Sequence, residues 1–79
     1  MLERARDRER GGDLEGALAD YESMIRSSTE LDAVVNELTQ LVRSYKTTAA
    51  VYRVLGDGLM RQGKLQAALN TYREALNQL

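Results

Sequence analysis

The stretch that decides the fold is residues 49–76, A-A-V-Y-R-V-L-G-D-G-L-M-R-Q-G-K-L-Q-A-A-L-N-T-Y-R-E-A-L. On each side of Gln62-Gly63 its apolar residues recur three and four positions apart, which is the spacing of one helical face. A glycine that follows such a pattern favours a left-handed turn at the helix end. The stretch therefore predicts two amphipathic helices joined by a tight turn.

The same apolar pattern recurs upstream in steps of 17 residues, so that Ala17, Val34, Val51 and Ala68 occupy one register position. It predicts four main helices at about 13–27, 30–45, 48–62 and 64–78. The charged residues 2–10 predict a short helix that is frayed and faces solvent, since its neighbours four apart include like charges. With no proline to interrupt these patterns, the chain is expected to be all-α, a stack of antiparallel helices.

Composition limits the kinds of chemistry that the chain can perform. It has 79 residues, no Cys and no His, which excludes disulfides, thiolate nucleophiles and imidazole ligands or bases. A core of this size needs very regular helix packing or self-association to be stable. The clustered carboxylates, Asp13, Glu15, Glu30 and Asp32, lie at predicted helix starts, where they complement the helix dipole. No phosphate-binding loop or EF-hand pattern is present, so we predict that the chain is not an enzyme and uses no cofactor or metal.

Charge is distributed unevenly along the chain. Residues 13–37 carry a balance of −6, whereas residues 38–79 carry +4, within a net charge of −1. Nucleic acid is not an expected partner, because phosphates require one coherent basic face. No apolar run approaches the roughly 18 residues of a membrane span. The charged N-terminal residues do not resemble a signal peptide, so a cytoplasmic location is predicted.

Residues 49–79 resemble one tetratricopeptide repeat, a family whose unit is a pair of helices with a period of 34 residues. Leu55 and Gly56 match the Leu-Gly of that motif, Tyr52 stands at its Trp position, and Leu59 replaces its Tyr. The positions that carry the match are Tyr52, Leu55, Gly56, Leu59, Gly63, Ala68, Tyr72 and Ala75. The resemblance implies a helix-hairpin stack of the α-solenoid type, in which small residues let helices approach and tyrosines fill the space around them.

Upstream the match is partial and covers residues 12–45. Residues 12–25 and 31–45 both resemble the second helix of a repeat, which departs from the alternating order of the family. Either residues 13–27 occupy a first-helix position, or half a unit is missing. The predicted organisation is therefore a charged segment at 1–12 followed by a domain at 13–79, with an atypical helix pair at 13–45 and a regular repeat at 48–79.

The resemblance also implies where a partner would bind, because repeats of this family use the inner face of the first helix. Carried onto this chain, that face consists of Ala50, Arg53, Asp57, Met60 and Arg61. The two arginines could hold an acidic peptide. The alternative is that Arg53 and Asp57 are an ordinary exposed helical pair.

The leading hypothesis is a protein–protein interaction module, part of a larger scaffold protein, that binds a peptide or a partner protein on a helical face. The alternative is a self-assembly element without an external ligand, either a homodimer or a head-to-tail array. Leu76 and Leu79 leave apolar surface near the end of the last helix, which predicts a homodimer through that helix.

Overall fold

A computed structural model describes residues 1–44 and 48–79, and every regular element in them is an α-helix. The all-α class is therefore confirmed. The helices are α1 (Leu2–Arg10), α2 (Leu14–Arg26), α3 (Leu31–Val42), α4 (Ala49–Arg61) and α5 (Leu65–Asn77). Helix α3 ends three residues before the predicted boundary at residue 45, and the predicted core residue Tyr45 lies outside the described residues.

Local sequence explains where α2 and α4 begin. The side chain of Asp13 accepts a hydrogen bond from the Gly16 amide at 3.0 Å, and Thr48 Oγ1 accepts one from the Val51 amide at 3.4 Å. Each side chain satisfies an amide that has no partner inside the helix.

The capping box that residues 29–32 suggest at the start of α3 does not form. Glu30 occupies the N-cap in the left-handed region, with φ 48°, and its side chain makes no capping hydrogen bond. The Thr29 hydroxyl instead lies 2.7 Å from that of Ser27, at the end of α2. The prediction was wrong because the turn places the Thr29 hydroxyl against the preceding helix.

Two of the turns have the same conformation, although they lie 51 residues apart. Gly12 and Gly63 adopt φ values of 89° and 80°. The next amide in each turn, that of Asp13 or Lys64, donates to a carbonyl five residues earlier at 2.8 or 2.9 Å. This hydrogen bond closes the preceding helix and reverses the chain. Helices α1 and α2 therefore form a hairpin with the same turn as the hairpin of α4 and α5.

Helix α1 is packed, so the expectation of a frayed helix that faces solvent is wrong. It contacts α2, and its residues Leu2 and Ala5 are 7% and 0% exposed. These two apolar residues lie three apart on one face, which is enough to anchor a helix of nine residues. Residues 13–27 thus follow a helix that pairs with them, and α3 is the helix without a hairpin partner of its own.

The core lies between α2, α3 and α4, and α4 contacts α2, α3 and α5. Its largest fully buried side chains are Tyr21, Met24, Val34, Leu38, Val51 and Val54. Met24, which lies on the apolar stripe of residues 13–27, is predicted to be a core residue, and its 1% exposure confirms this. No helix among the described residues is both long and apolar enough to cross a membrane.

Candidate functional site

The outer face of α5 is apolar, and its leucines, with Leu79 just beyond the helix end, stay exposed in the described part of the chain. We call the residues Leu65, Leu69, Tyr72, Leu76 and Leu79 the α5 seam. Its four leucines are 58%, 52%, 69% and 89% exposed in chain order, and Tyr72 is half-buried. The described part of the chain exposes only two other large apolar side chains, Met1 and Met60. Exposed apolar surface that is concentrated on one helix marks an interaction site.

The inner face of α5 packs on α4 through small residues. Ala68 is fully buried, and a methyl group added at Gly56 would lie 2.5 Å from Cε1 of Tyr72. The glycine therefore lets the tyrosine ring lie directly on the α4 backbone. The Tyr72 hydroxyl donates a hydrogen bond to the Asp57 carboxylate. Burial, then this hydrogen bond and the Asp57 charge, raise the pKa of Tyr72 to about 12.

A groove of about 540 Å³ runs between the start of α4 and the end of α5. Its lining is mostly apolar and consists of Ala49, Ala50, Arg53, Tyr72, Ala75, Leu76 and Leu79. Three of these residues belong to the α5 seam, so the groove and the seam form one continuous surface. A shape of this kind can accept the apolar side of another polypeptide.

The structure places two of the five predicted partner-binding residues, Ala50 and Arg53, in this groove. Arg53 is half-exposed, and its Nη2 donates to Glu22 Oε1 at 2.9 Å. Its Nη1 lies 3.5 Å from Asp57 Oδ2. The guanidinium is therefore engaged within the fold, and it links α4 to α2.

The other three predicted residues do not line the groove. Asp57 is held by Tyr72 and Arg53, while Arg61 Nη2 donates to the Arg26 carbonyl at 2.9 Å. Met60 is exposed, as its position off the apolar stripe predicts. The binding role of all five residues stays a prediction.

The residues that carry the tetratricopeptide resemblance have mostly structural surroundings. Leu55, Gly56 and Ala68 are buried, Tyr52, Leu59, Tyr72 and Ala75 are half-buried, and Gly63 forms the turn between α4 and α5. Tyr21, on α2, is fully buried and its hydroxyl donates to Glu9 Oε1 at 3.0 Å. Burial, followed by the charge of Glu9, raises the pKa of the Tyr21 phenol.

A second polar cluster joins α1 to its neighbours. The buried Asp20 carboxylate accepts two hydrogen bonds from Arg4, at 2.8 and 3.2 Å, and lies 3.3 Å from Arg8. Arg6 Nε donates to Glu37 on α3 at 2.6 Å. Among residues 1–44 and 48–79, no group of acidic side chains is arranged to hold a metal ion. The cluster fixes α1 in place and offers no reacting group in a cavity.

The sequence indicated apolar surface at Leu76 and Leu79 but not the full extent of the seam, because α2 and α5 carry equivalent stripes. Leu18 and Leu69 are equivalent, as are Ile25 and Leu76. The α2 residues are 7% and 3% exposed, whereas the α5 residues are 52% and 69% exposed. Spacing does not separate the two stripes, since Leu14, Leu18, Tyr21 and Ile25 follow the same intervals as Leu65, Leu69, Tyr72 and Leu76.

Comparison of the chain with protein-family models, with curated proteins and with solved structures finds no match. A function for the chain is therefore inferred from its own sequence and geometry.

Proposed function

We propose that the chain is a protein–protein interaction module that binds a helical segment of a partner over the α5 seam and the adjoining groove. It acts by binding and catalyses no reaction. The observation that carries this proposal is the contrast between α2 and α5, which have equivalent stripes and the same preceding turn. One stripe is covered by helices, and the other is bare.

The covering of α2 indicates what fits such a stripe. Helices α3 and α4 both contact α2. A methyl group added at Gly58 of α4 would lie 3.4 Å from Ile25 Cδ1 and 2.9 Å from Val35 Cγ2, so Ile25 lies where α3 and α4 meet. The position equivalent to Ile25 is Leu76, a seam residue that is 69% exposed. By this internal comparison, the ligand of the seam is an amphipathic helix.

The tetratricopeptide class fits the same proposal. Its support is the 17-residue register of the helices and the recurrence of one turn at Gly12 and Gly63. In such a stack each hairpin leaves a face that the next helix covers. A scaffold protein in the cytoplasm would use the module in this way. The alternative, self-assembly without an external ligand, uses the same surface.

A titration followed by NMR tests the proposal. The probe is a synthetic helical peptide with leucines at heptad spacing, and the control peptide has the same composition in scrambled order. We expect the helical peptide to shift the amide signals of α5 and of the first half of α4. The Leu69→Lys variant should lose this response, because the substitution places a charge in the apolar contact.

Asn70→Lys is the matched control variant, since Asn70 is an exposed neighbour on the same helix. It adds the same side chain outside the seam and should bind the peptide as the wild type does. Arg53→Ala and Arg61→Ala test the predicted inner face separately. In a sample dilute enough to be monomeric, signal shifts that are absent, or equal with the scrambled peptide, would contradict the proposal.

A further inference from the structure

We infer that the helix that covers the α5 seam is α5 of a second copy of this chain, so that the module forms a homodimer through this helix. The inference rests on the proposed function and specifies its partner. Four features of the α5 surface carry it: the spacing of the seam, the lack of opposite charges beside it, the pairing of Arg53 within the fold, and the absence of another matching apolar surface.

The spacing of the seam is that of a coiled coil. Leu65, Leu69, Tyr72, Leu76 and Leu79 follow one another by four, three, four and three residues, an average of 3.5. A strict 3.5-residue repeat keeps one narrow row of side chains facing a partner helix along its length. Leu14, Leu18, Tyr21 and Ile25 of α2 have the same four-three-four spacing and are covered by helices, so the spacing indicates a helical occupant and the other three features indicate which helix it is.

The inner face of α5 is already occupied, which separates the seam from the intramolecular contact. Ala68 and Ala75 flank the seam on one side, and Ala68 is fully buried between α5 and the rest of the fold. Tyr72 belongs to the seam by spacing, but its ring packs on Gly56 of α4, so the seam residues that remain exposed are the four leucines. The exposed leucines are therefore free to enter a second helix pair while the hairpin stays intact.

The residues beside the seam carry too little charge to select a different protein as partner. In the heptad, Gln66 and Arg73 flank it on one side and the two alanines flank it on the other. Charged residues at flanking positions normally select a partner of complementary charge. A single arginine among these four positions lets two identical seams approach with little repulsion. Arg53, which lines the adjoining groove, is already paired with Glu22 and Asp57.

The rest of the described surface provides no second site for the seam. Apart from the seam, residues 1–44 and 48–79 expose only Met1 and Met60 as large apolar side chains. When one copy meets another, the apolar surface that matches the seam is consequently the seam itself. An interface made from the same patch on both subunits is isologous and closes as a two-fold dimer.

Sedimentation equilibrium of the full chain over a range of concentrations tests the inference. We expect the wild type to reach twice its monomer mass of 8.9 kDa at high micromolar concentration. Leu69→Lys and Leu76→Lys should each raise the dimer dissociation constant by about 100-fold, because a buried leucine is replaced by a charge. Asn70→Lys should change it by less than about threefold, since an exposed substitution outside the contact has little effect. Circular dichroism verifies that each variant is folded.

A wild type that stays monomeric would overturn the inference, as would a dimer that both seam variants leave unchanged. Association that weakens with added salt but withstands Leu69→Lys would indicate head-to-tail order set by charge, and would also overturn it. The peptide titration separates the two proposals. A monomer that binds the helical peptide overturns the dimer alone, whereas a monomer that does not bind it overturns both.

Discussion

The contact between Gly56 and Tyr72 shows how one glycine allows α5 to lie close to α4. The ring of Tyr72 covers Gly56 so closely that a methyl group there would lie 2.5, 2.8 and 2.9 Å from three ring carbons. The sequence predicted this contact, because small and large residues at those positions are what the tetratricopeptide resemblance implies. It did not predict the Asp57 hydrogen bond that holds the Tyr72 hydroxyl.

Gly56→Ala should destabilise the fold despite the better helix propensity of alanine. We expect a loss of about 1–3 kcal/mol from overpacking against the ring, which exceeds a propensity gain of up to about 1 kcal/mol. Urea denaturation measures the change in the free energy of unfolding.

The matched test is the same substitution in a Tyr72→Ala background. Without the ring, the added methyl group has space, and Gly56→Ala should become neutral or stabilising. An equal cost of Gly56→Ala in both backgrounds would show that the ring contact is not what makes alanine unfavourable.

At the scale of the element, α1 is where prediction from sequence was least successful. The sequence pattern shows only the neighbours within the helix, where Glu3 repels Asp7 and Arg6 repels Arg10. In the structure Arg4 and Arg8 bind Asp20 on α2, and Arg6 binds a carboxylate on α3. No local pattern identifies a partner 16 residues away, although the apolar pair Leu2 and Ala5 indicated a buried face.

Acid should weaken the attachment of α1. The hydrogen bonds from Arg4 are the largest influence on the pKa of Asp20 and hold it below the ordinary 3.8. The charges of Arg4 and Arg8 lower this pKa further, whereas burial of the carboxyl group raises it. Since the folded-state pKa is the lower one, the stabilisation is present above pH 3.8 and is lost as the pH falls through the folded-state value. Asp20→Asn removes it at every pH.

Denaturation of the wild type and Asp20→Asn at several pH values tests this. We expect the wild type to be more stable at neutral pH, and the difference to shrink below about pH 4. Asp7→Asn is the control, because the Asp7 side chain is exposed and its ion pair, with Arg10 at 3.4 Å, stays within α1. That variant should stay within about 0.5 kcal/mol of the wild type, as surface ion pairs usually do. A difference for Asp20→Asn that does not change with pH would contradict the assignment.

For the whole molecule, periodicity predicted the helices but not which of their faces are covered. Leu18 and Leu69 occupy the same register position, and one is buried while the other is half-exposed. A side-chain pattern states that a face is apolar, whereas burial depends on which helix packs against it. The candidate site therefore came from the structure, and two of the residues predicted for it, Ala50 and Arg53, adjoin it.

Local stability should differ between helices, because their apolar faces are covered to different extents. The core lies at α2, α3 and α4, and Ala68 is the one buried residue that α5 contributes. Local opening is easiest where few buried contacts oppose it. In dilute solution we expect the amides of α5 to exchange hydrogen faster than the equivalent amides of α2.

Hydrogen exchange followed by NMR compares matched positions, for example the amides of Tyr21 and Tyr72. Protection of α5 should increase with protein concentration, while that of α2 should not change. Equal protection of the two helices in dilute solution would mean that α5 is held by contacts beyond those described above.

The outer helices of the two hairpins differ, and this difference limits how large an assembly can become. The exposed residues of α1 include Glu3, Arg4, Asp7 and Arg10, whereas those of α5 include the leucines Leu65, Leu69 and Leu76 on one face. A polymer grows only when each subunit has two adhesive sites that match one another. In this molecule the outer surface of α5 is apolar and that of α1 is charged and hydrated. Joining two copies through α5 therefore buries the apolar surface and leaves no second apolar site on the described residues. Association should therefore saturate at two copies, and raising the concentration should not produce fibres.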